Sequence, residues 1–123
     1  MTREIAKAED SQGLIWRISL ADVDLDGPFS RFDGLTRILT VIAGEGIDLV
    51  SPDGLIAARW GNPVRFSGGL AVDGRLTSGP IRDLNLIFDA TRVSADVRLL
   101  RGPATIYRAG PDRLPCAGGI GSG

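Results

Sequence analysis

The chain has 123 residues, enough for one domain around one hydrophobic core. With 43% hydrophobic residues, 24% charged residues and a formal net charge of -1, it carries neither a basic field for nucleic acid nor an acidic tail. The first residues, MTREIAKAED, lack the apolar segment of a secretion signal, and no apolar run approaches a membrane span, so no membrane partner is expected.

Along the chain, helix signals are almost absent. The 17 glycines and 7 prolines punctuate the sequence at intervals of about 8–12 residues, the rhythm of an all-β sandwich or barrel. Strands are expected at residues 15–22, 37–43, 47–50, 55–59, 64–66, 72–76, 82–88 and 94–100. In the first, Trp16, Ile18 and Leu20 alternate with Arg17, Ser19 and Ala21, the pattern of a half-buried strand. Gly44-Glu45-Gly46 and Ser51-Pro52-Asp53-Gly54 should make tight reversals, and Val72-Asp73-Gly74-Arg75 a hairpin corner or a bulge. Leu84, Leu86 and Phe88 alternate with Asp83, Asn85 and Ile87, and Val93, Ala95, Val97 and Leu99 alternate with polar residues. After Ile106 the pattern collapses into glycine and proline. The domain is therefore expected to span residues 1–106, followed by an irregular tail over 107–123. That tail holds Cys116, the single cysteine, which cannot form an internal disulfide and fits a cytoplasmic protein.

The chain contains no histidine. A transition-metal site built on several imidazoles cannot form, nor can a triad with a histidine base, and no metal or cofactor is expected. No phosphate cradle of the GxxxxGK[ST] or GxGxxG kind occurs. Asp22, Asp24 and Asp26 alternate like calcium ligands but lack the rest of a calcium loop, and read as a solvated acidic loop. Glu4, Asp33 and Asp83 lie near strand mouths as acid/base candidates, against the plainer reading of ion pairs with neighbours such as Arg3 or Arg82. What remains is a set of polar residues inside apolar strands: Arg17 and Ser19, Arg37, then Asp83 and Asn85. They face water on an open sheet, or they line a pocket in which each guanidinium needs an acidic partner or ligand.

Several segments, in order, resemble the HutD/Ves family of small cupin-like proteins: Thr2-Arg3-Glu4-Ile5-Ala6, Trp16-Arg17-Ile18-Ser19, Asp26-Gly27-Pro28-Phe29-Ser30-Arg31-Phe32 with Gly34 and Arg37, Pro63-Val64-Arg65-Phe66, and Gly79-Pro80-Ile81-Arg82-Asp83-Leu84-Asn85-Leu86. The resemblance implies an antiparallel cupin-like (RmlC-like jelly-roll) β-sandwich or barrel. It also implies a cytoplasmic bacterial protein tied to histidine utilisation or stress response, with no established catalysis. Its proposed role is binding a small acidic metabolite such as urocanate or formylglutamate. Carried over position by position, the residues implied to face such a site are Arg3, Arg17, Ser19, Arg37, Asp83 and Asn85, with Phe32 as core or pocket wall. Relative to the family, a first strand and a last set of strands are expected to be missing, and a proline usual at Asp33 is absent. The exposed edges so created predict pairing with a second copy.

The leading expectation is thus a non-catalytic protein that holds a small carboxylate between Arg17 and Arg37, with Ser19 and Asn85 orienting it. On this expectation, Arg37→Ala weakens binding with little loss of fold. The alternatives are a metal-independent enzyme acting on a small carboxylate through Asp83, and an oligomerising interaction module without ligand.

Overall fold

The computed structural model describes residues 2–99, 104–109 and 119–120. Twelve strands make up the described fold, with no helix among the described residues: β1 (Thr2–Asp10), β2 (Gly13–Val23), β3 (Gly27–Pro28), β4 (Thr36–Ala43), β5 (Gly46–Ser51), β6 (Gly54–Arg59), β7 (Val64–Ser67), β8 (Asp73–Leu76), β9 (Ile81–Phe88), β10 (Ser94–Leu99), β11 (Ala104–Ala109) and β12 (Gly119–Ile120). They form a five-stranded sheet in the order β1-β2-β9-β4-β7, a four-stranded sheet β3-β8-β5-β6, and a three-stranded sheet β10-β11-β12. Every pairing is antiparallel. This is the all-β architecture expected from the punctuated alternation, and the antiparallel cupin-like type that the family resemblance implies.

The five-stranded sheet separates two apolar clusters, because a strand sends alternate side chains to opposite faces. On one face, Ile18, Ile38, Leu84, Leu86 and Phe88 pack with Val93, Ala95 and Val97 from the β10 segment. On the other, Leu39, Val41 and Ile81 pack with Ile47 and Leu49 from the four-stranded sheet, with Val72 just ahead of β8 and with Phe66 of β7. Burying one large aliphatic side chain contributes about 1.5–3 kcal/mol, so these clusters supply the main stabilising force.

Three differences from the sequence expectation have clear causes. Strand β1 was not anticipated, because as an outermost strand it needs no apolar period: only Ala6 and Ala8 of its residues are partly buried. Residues 72–76 hold neither a corner nor a bulge. Gly74 lies within β8, paired with Leu49 and Gly27. A Cβ there would come within 2.5 Å of the Phe29 ring and 2.8 Å of Ile47 Cδ1, so glycine lets Phe29 lie across the strand. Finally, β11 was not anticipated as a strand, since the last one expected was 94–100; it runs to Ala109, past the expected domain end at Ile106, with Tyr107 opposite Asp96 and Ala109 opposite Ser94. Backbone pairing with β10 along one edge, and with β12 at Ala104 and Thr105 on the other, does not require the strong alternation sought in the sequence. The rest of the expected tail apart from β12, including Cys116, lies outside the described residues.

Candidate binding cavity

The site is built by register across the three central strands. Arg17, Ile87 and Arg37 form one row, Ser19, Asn85 and Leu39 the next, and Ala21, Asp83 and Val41 the third. All point to the face that looks toward the four-stranded sheet. There all of them except Leu39 and Val41, which join the apolar cluster, line a cavity of about 380 Å³, bounded on the far side by Gly27, Pro28, Phe29, Ser30 and Phe32.

The segment after β3 is pinned over this cavity. Phe29 N–H donates to Val72 O at 2.9 Å and Phe32 N–H to Gly68 O at 2.7 Å. Gly68 permits the second contact, since a Cβ there would lie 2.4 Å from Phe32 O. The segment thereby delivers two phenylalanine rings and the Ser30 carbonyl to Arg37.

Arg37 is 5% exposed. Its Nη1 donates to Ser30 O at 2.8 Å and its Nη2 to Asn85 Oδ1 at 3.0 Å. Its Cζ stands 5.2 Å from the Phe32 ring centre, 5.4 Å from Phe66 and 5.5 Å from Phe29, an aromatic cage for a cation. Burial pulls its pKa down, the Asp83 charge opposes that, and Arg17 adds to the lowering. A guanidinium remains charged regardless. Its Nε finds no hydrogen-bond partner among the described residues.

Arg17 is the looser of the two arginines. It lies 5.9 Å from the Phe32 ring, so Phe32 contacts both guanidinium groups. Its Nε stands 3.6 Å from Glu4 Oε1, with the two side chains 30% and 42% exposed.

Asp83 is fully buried. Asn85 Nδ2 donates to its Oδ1 at 2.9 Å, which completes a chain from Arg37 through Asn85 to Asp83. Oδ2 has no hydrogen-bond partner among the described residues. Burial lifts the Asp83 pKa to about 7, against the pull of Arg37 and Asn85 and with a small push from Asp22. The carboxyl group therefore changes charge near neutral pH.

Of the residues singled out in the sequence, Arg17, Ser19, Phe32, Arg37, Asp83 and Asn85 line this one cavity. Arg3 does not. It pairs with Leu20, whose side chain belongs to the opposite face, and its charge is felt at Asp22 instead. Glu4 pairs with Arg17 rather than Arg3, and Asp33 with Arg31 at 3.3 Å. The acidic loop is a structural element: Asp22 holds Arg82 at 2.7 Å and Asp26 accepts from Leu76 N–H at 2.8 Å. Among the described residues, no three His, Cys, Asp or Glu side chains gather as a metal site. Phe29, Phe66 and the Ser30 carbonyl were not anticipated. The spacing of Phe29 and Phe32 around a serine was the available signal for two of them, whereas Phe66 reads as ordinary strand alternation.

Fold and cavity together define a cupin-type all-β protein whose aromatic-walled cavity holds two arginines and a buried aspartate. The HutD family model matches residues 1–113, and the chain belongs to the HutD family. It is 35% identical over 114 residues to an uncharacterized 21.2 kDa protein in the hutC 3′ region of Pseudomonas putida, covering 86% of this chain and 57% of that one. It is 33% identical over 86 residues to protein Ves of Escherichia fergusonii, covering 68% and 45%. The structure of HutD from Pseudomonas fluorescens SBW25, in a formate condition, aligns with a TM-score of 0.74 at 38% identity, over 82% of this chain and 56% of that one. A cupin domain of a transcriptional regulator from Enterobacter cloacae aligns at 0.59 with 16% identity, over 72% and 94%, which speaks to fold alone. The chain thus spans about half the length of the HutD and Ves relatives it matches. Among the described residues, no helix is long and apolar enough to cross a membrane.

Proposed function

We propose that the chain binds a small acidic metabolite of the urocanate or formylglutamate type without transforming it, and that occupancy reports on histidine utilisation. The observation that carries this reading is Arg37: a buried guanidinium lining a cavity, caged by aromatic rings, with its Nε unmatched. Keeping an arginine there is costly unless the charge has work to do, and a carboxylate is the natural partner of its planar fork. Arg17 supplies the second cation across the same row, and Ser19 and Asn85 border the space between. The names of the relatives, HutD and a protein of the hutC 3′ region, connect the family to histidine utilisation and suggest which acids to try. The test is a thermal-shift screen against urocanate, formylglutamate, histidine, glutamate and formate. A saturable rise in melting temperature with one acid, lost in Arg37→Gln, is expected. A cooperative melt unmoved by every acid would count against the reading.

A second reading rests on Asp83. A buried acid that titrates near neutrality in a cavity is the profile of a general acid or base. Under it the chain is a metal-independent enzyme, and chromatography of each acid after incubation with protein would show turnover abolished by Asp83→Asn. The outermost position of β1, with most of its residues exposed, further supports pairing with a second copy, which sedimentation over a range of concentrations would show as a rising mass.

A further inference from the structure

The arginines do not exhaust the cavity's polar groups. Asp83 lines it, is fully buried, and has one carboxyl oxygen, Oδ2, with no partner among the described residues. The Asn85 amide is oriented by its other contact. Because its Oδ1 accepts from Arg37, a flip would set donor against donor, so Nδ2 must serve Asp83 Oδ1. Oδ1 is thus an acceptor in either charge state, and any proton on Asp83 resides on Oδ2.

Resting on the carboxylate-binding reading above, we propose that Asp83 is a further ligand-binding group that acts as the neutral acid, donating from Oδ2 to the bound anion, so that the cavity takes up a carboxylate together with one proton from solvent.

The charges around Asp83 support this. Arg37 faces it from β4 and Asp22 from β2, while Arg17 on β2 borders the same cavity and is offset by Glu4 of β1. The wall opposite, from β3 and the segment after it, contributes no ionisable group to the lining. With Asp83 ionised, its charge balances Arg37 and repels an entering anion at close quarters. With Asp83 neutral, the cavity is net cationic and offers a donor where it had an acceptor. Burial, only partly offset by Arg37 and Asn85, already brings the carboxyl to the edge of protonation at neutral pH, so little further free energy is needed to add the proton.

The probe is formate, which stays ionised from pH 6 to 9, titrated at constant ionic strength by calorimetry in two buffers of different ionisation enthalpy. For the wild-type chain, the expected Kd is flat below about pH 7 and weakens towards about tenfold per pH unit above it, with uptake approaching one proton per formate. In Asp83→Asn, the side-chain Nδ2 replaces the Oδ2–H donor while the amide oxygen still accepts from Asn85. That variant should bind with a pH-independent Kd and no proton uptake. Formate binding by the wild type with a pH-independent Kd would overturn the proposal and leave the carboxylate reading intact. Retention of the wild-type pH dependence in Asp83→Asn would do the same. No formate binding at any pH would remove both. Should Asp83→Asn fail to fold, the buffer dependence of the wild-type heat decides alone.

Discussion

Strand β9 divides the molecule between two chemistries. Leu84, Leu86 and Phe88 point into a dry cluster against β10, whereas Asp83 and Asn85, one residue out of phase, point into the cavity. On the first face the strand can be explained by burial alone. On the second, an aspartate, an asparagine and an arginine from β4 are buried as deeply as their apolar neighbours, at a cost that packing does not recover. A fold that only needed a core would place aliphatic residues on both faces, as Leu39 and Val41 do further along β4. The difference marks where stability has given way to recognition.

The largest effect should come from the apolar face. Phe88 is fully buried, and Phe88→Ala should destabilise the fold by about 3–5 kcal/mol through lost transfer energy and the cavity left behind. A fall in the urea midpoint, with ligand-induced stabilisation preserved in whatever fraction remains folded, would confirm that this face serves the fold and not the site.

Arg37→Ala comes next, and here the structure changes the expectation drawn from sequence. Little loss of fold was anticipated. Arg37 instead holds Ser30 O and Asn85 Oδ1 and fills the space among Phe29, Phe32 and Phe66. Its removal should cost about 2–4 kcal/mol as well as ligand binding, because buried acceptors lose their donor. Stability equal to wild type by urea titration would mean that the cage collapses without penalty and that the row is less constrained than its contacts imply.

Asp83 gives a smaller effect with a defined sign. Its folded pKa of about 7 lies above the ordinary 3.8, so the folded state binds the proton more tightly than the unfolded one. The associated stability is fully present below pH 3.8 and is lost as pH rises through 7. Between pH 5.5 and 8.5 the wild type should lose roughly 2 kcal/mol that Asp83→Asn does not lose. The chain has no histidine, and its terminal amine is common to both proteins, so the difference isolates Asp83. Parallel pH profiles of melting temperature would place the Asp83 pKa back in the ordinary carboxylate range.

Much of this division was legible in the sequence, because period-2 alternation is a local property. Trp16-Arg17-Ile18-Ser19 and Asp83-Leu84-Asn85-Leu86 announce two faces of different polarity, and antiparallel pairing brings Ser19 opposite Asn85. What alternation cannot supply is long-range contact. The bulge between Glu4 and Ala6 and the exposed run of β1 gave no sign that Arg3 sits opposite Leu20, away from the cavity. The role of Gly74 in admitting Phe29 depends on a strand distant in sequence, as does the closure of the Arg37 cage by Phe66.

Arg17 offers the sharpest contrast at the lowest structural cost. It occupies the same row as Arg37, on the far side of Ile87, but is partly exposed and faces Glu4 across 3.6 Å. An ion pair so open to solvent contributes less than about 1 kcal/mol, because water screens it and two long side chains must be held still. Arg17→Gln should therefore leave the urea midpoint nearly unchanged while weakening carboxylate affinity by about tenfold, the value of one charge-assisted hydrogen bond. The two arginines would then divide the labour of the row, one both building and charging the cavity, the other only charging it. Equal affinity in Arg17→Gln, measured with the acid that stabilises the wild type, would assign the whole electrostatic task to Arg37 and reduce Arg17 to a partner of Glu4 at the rim.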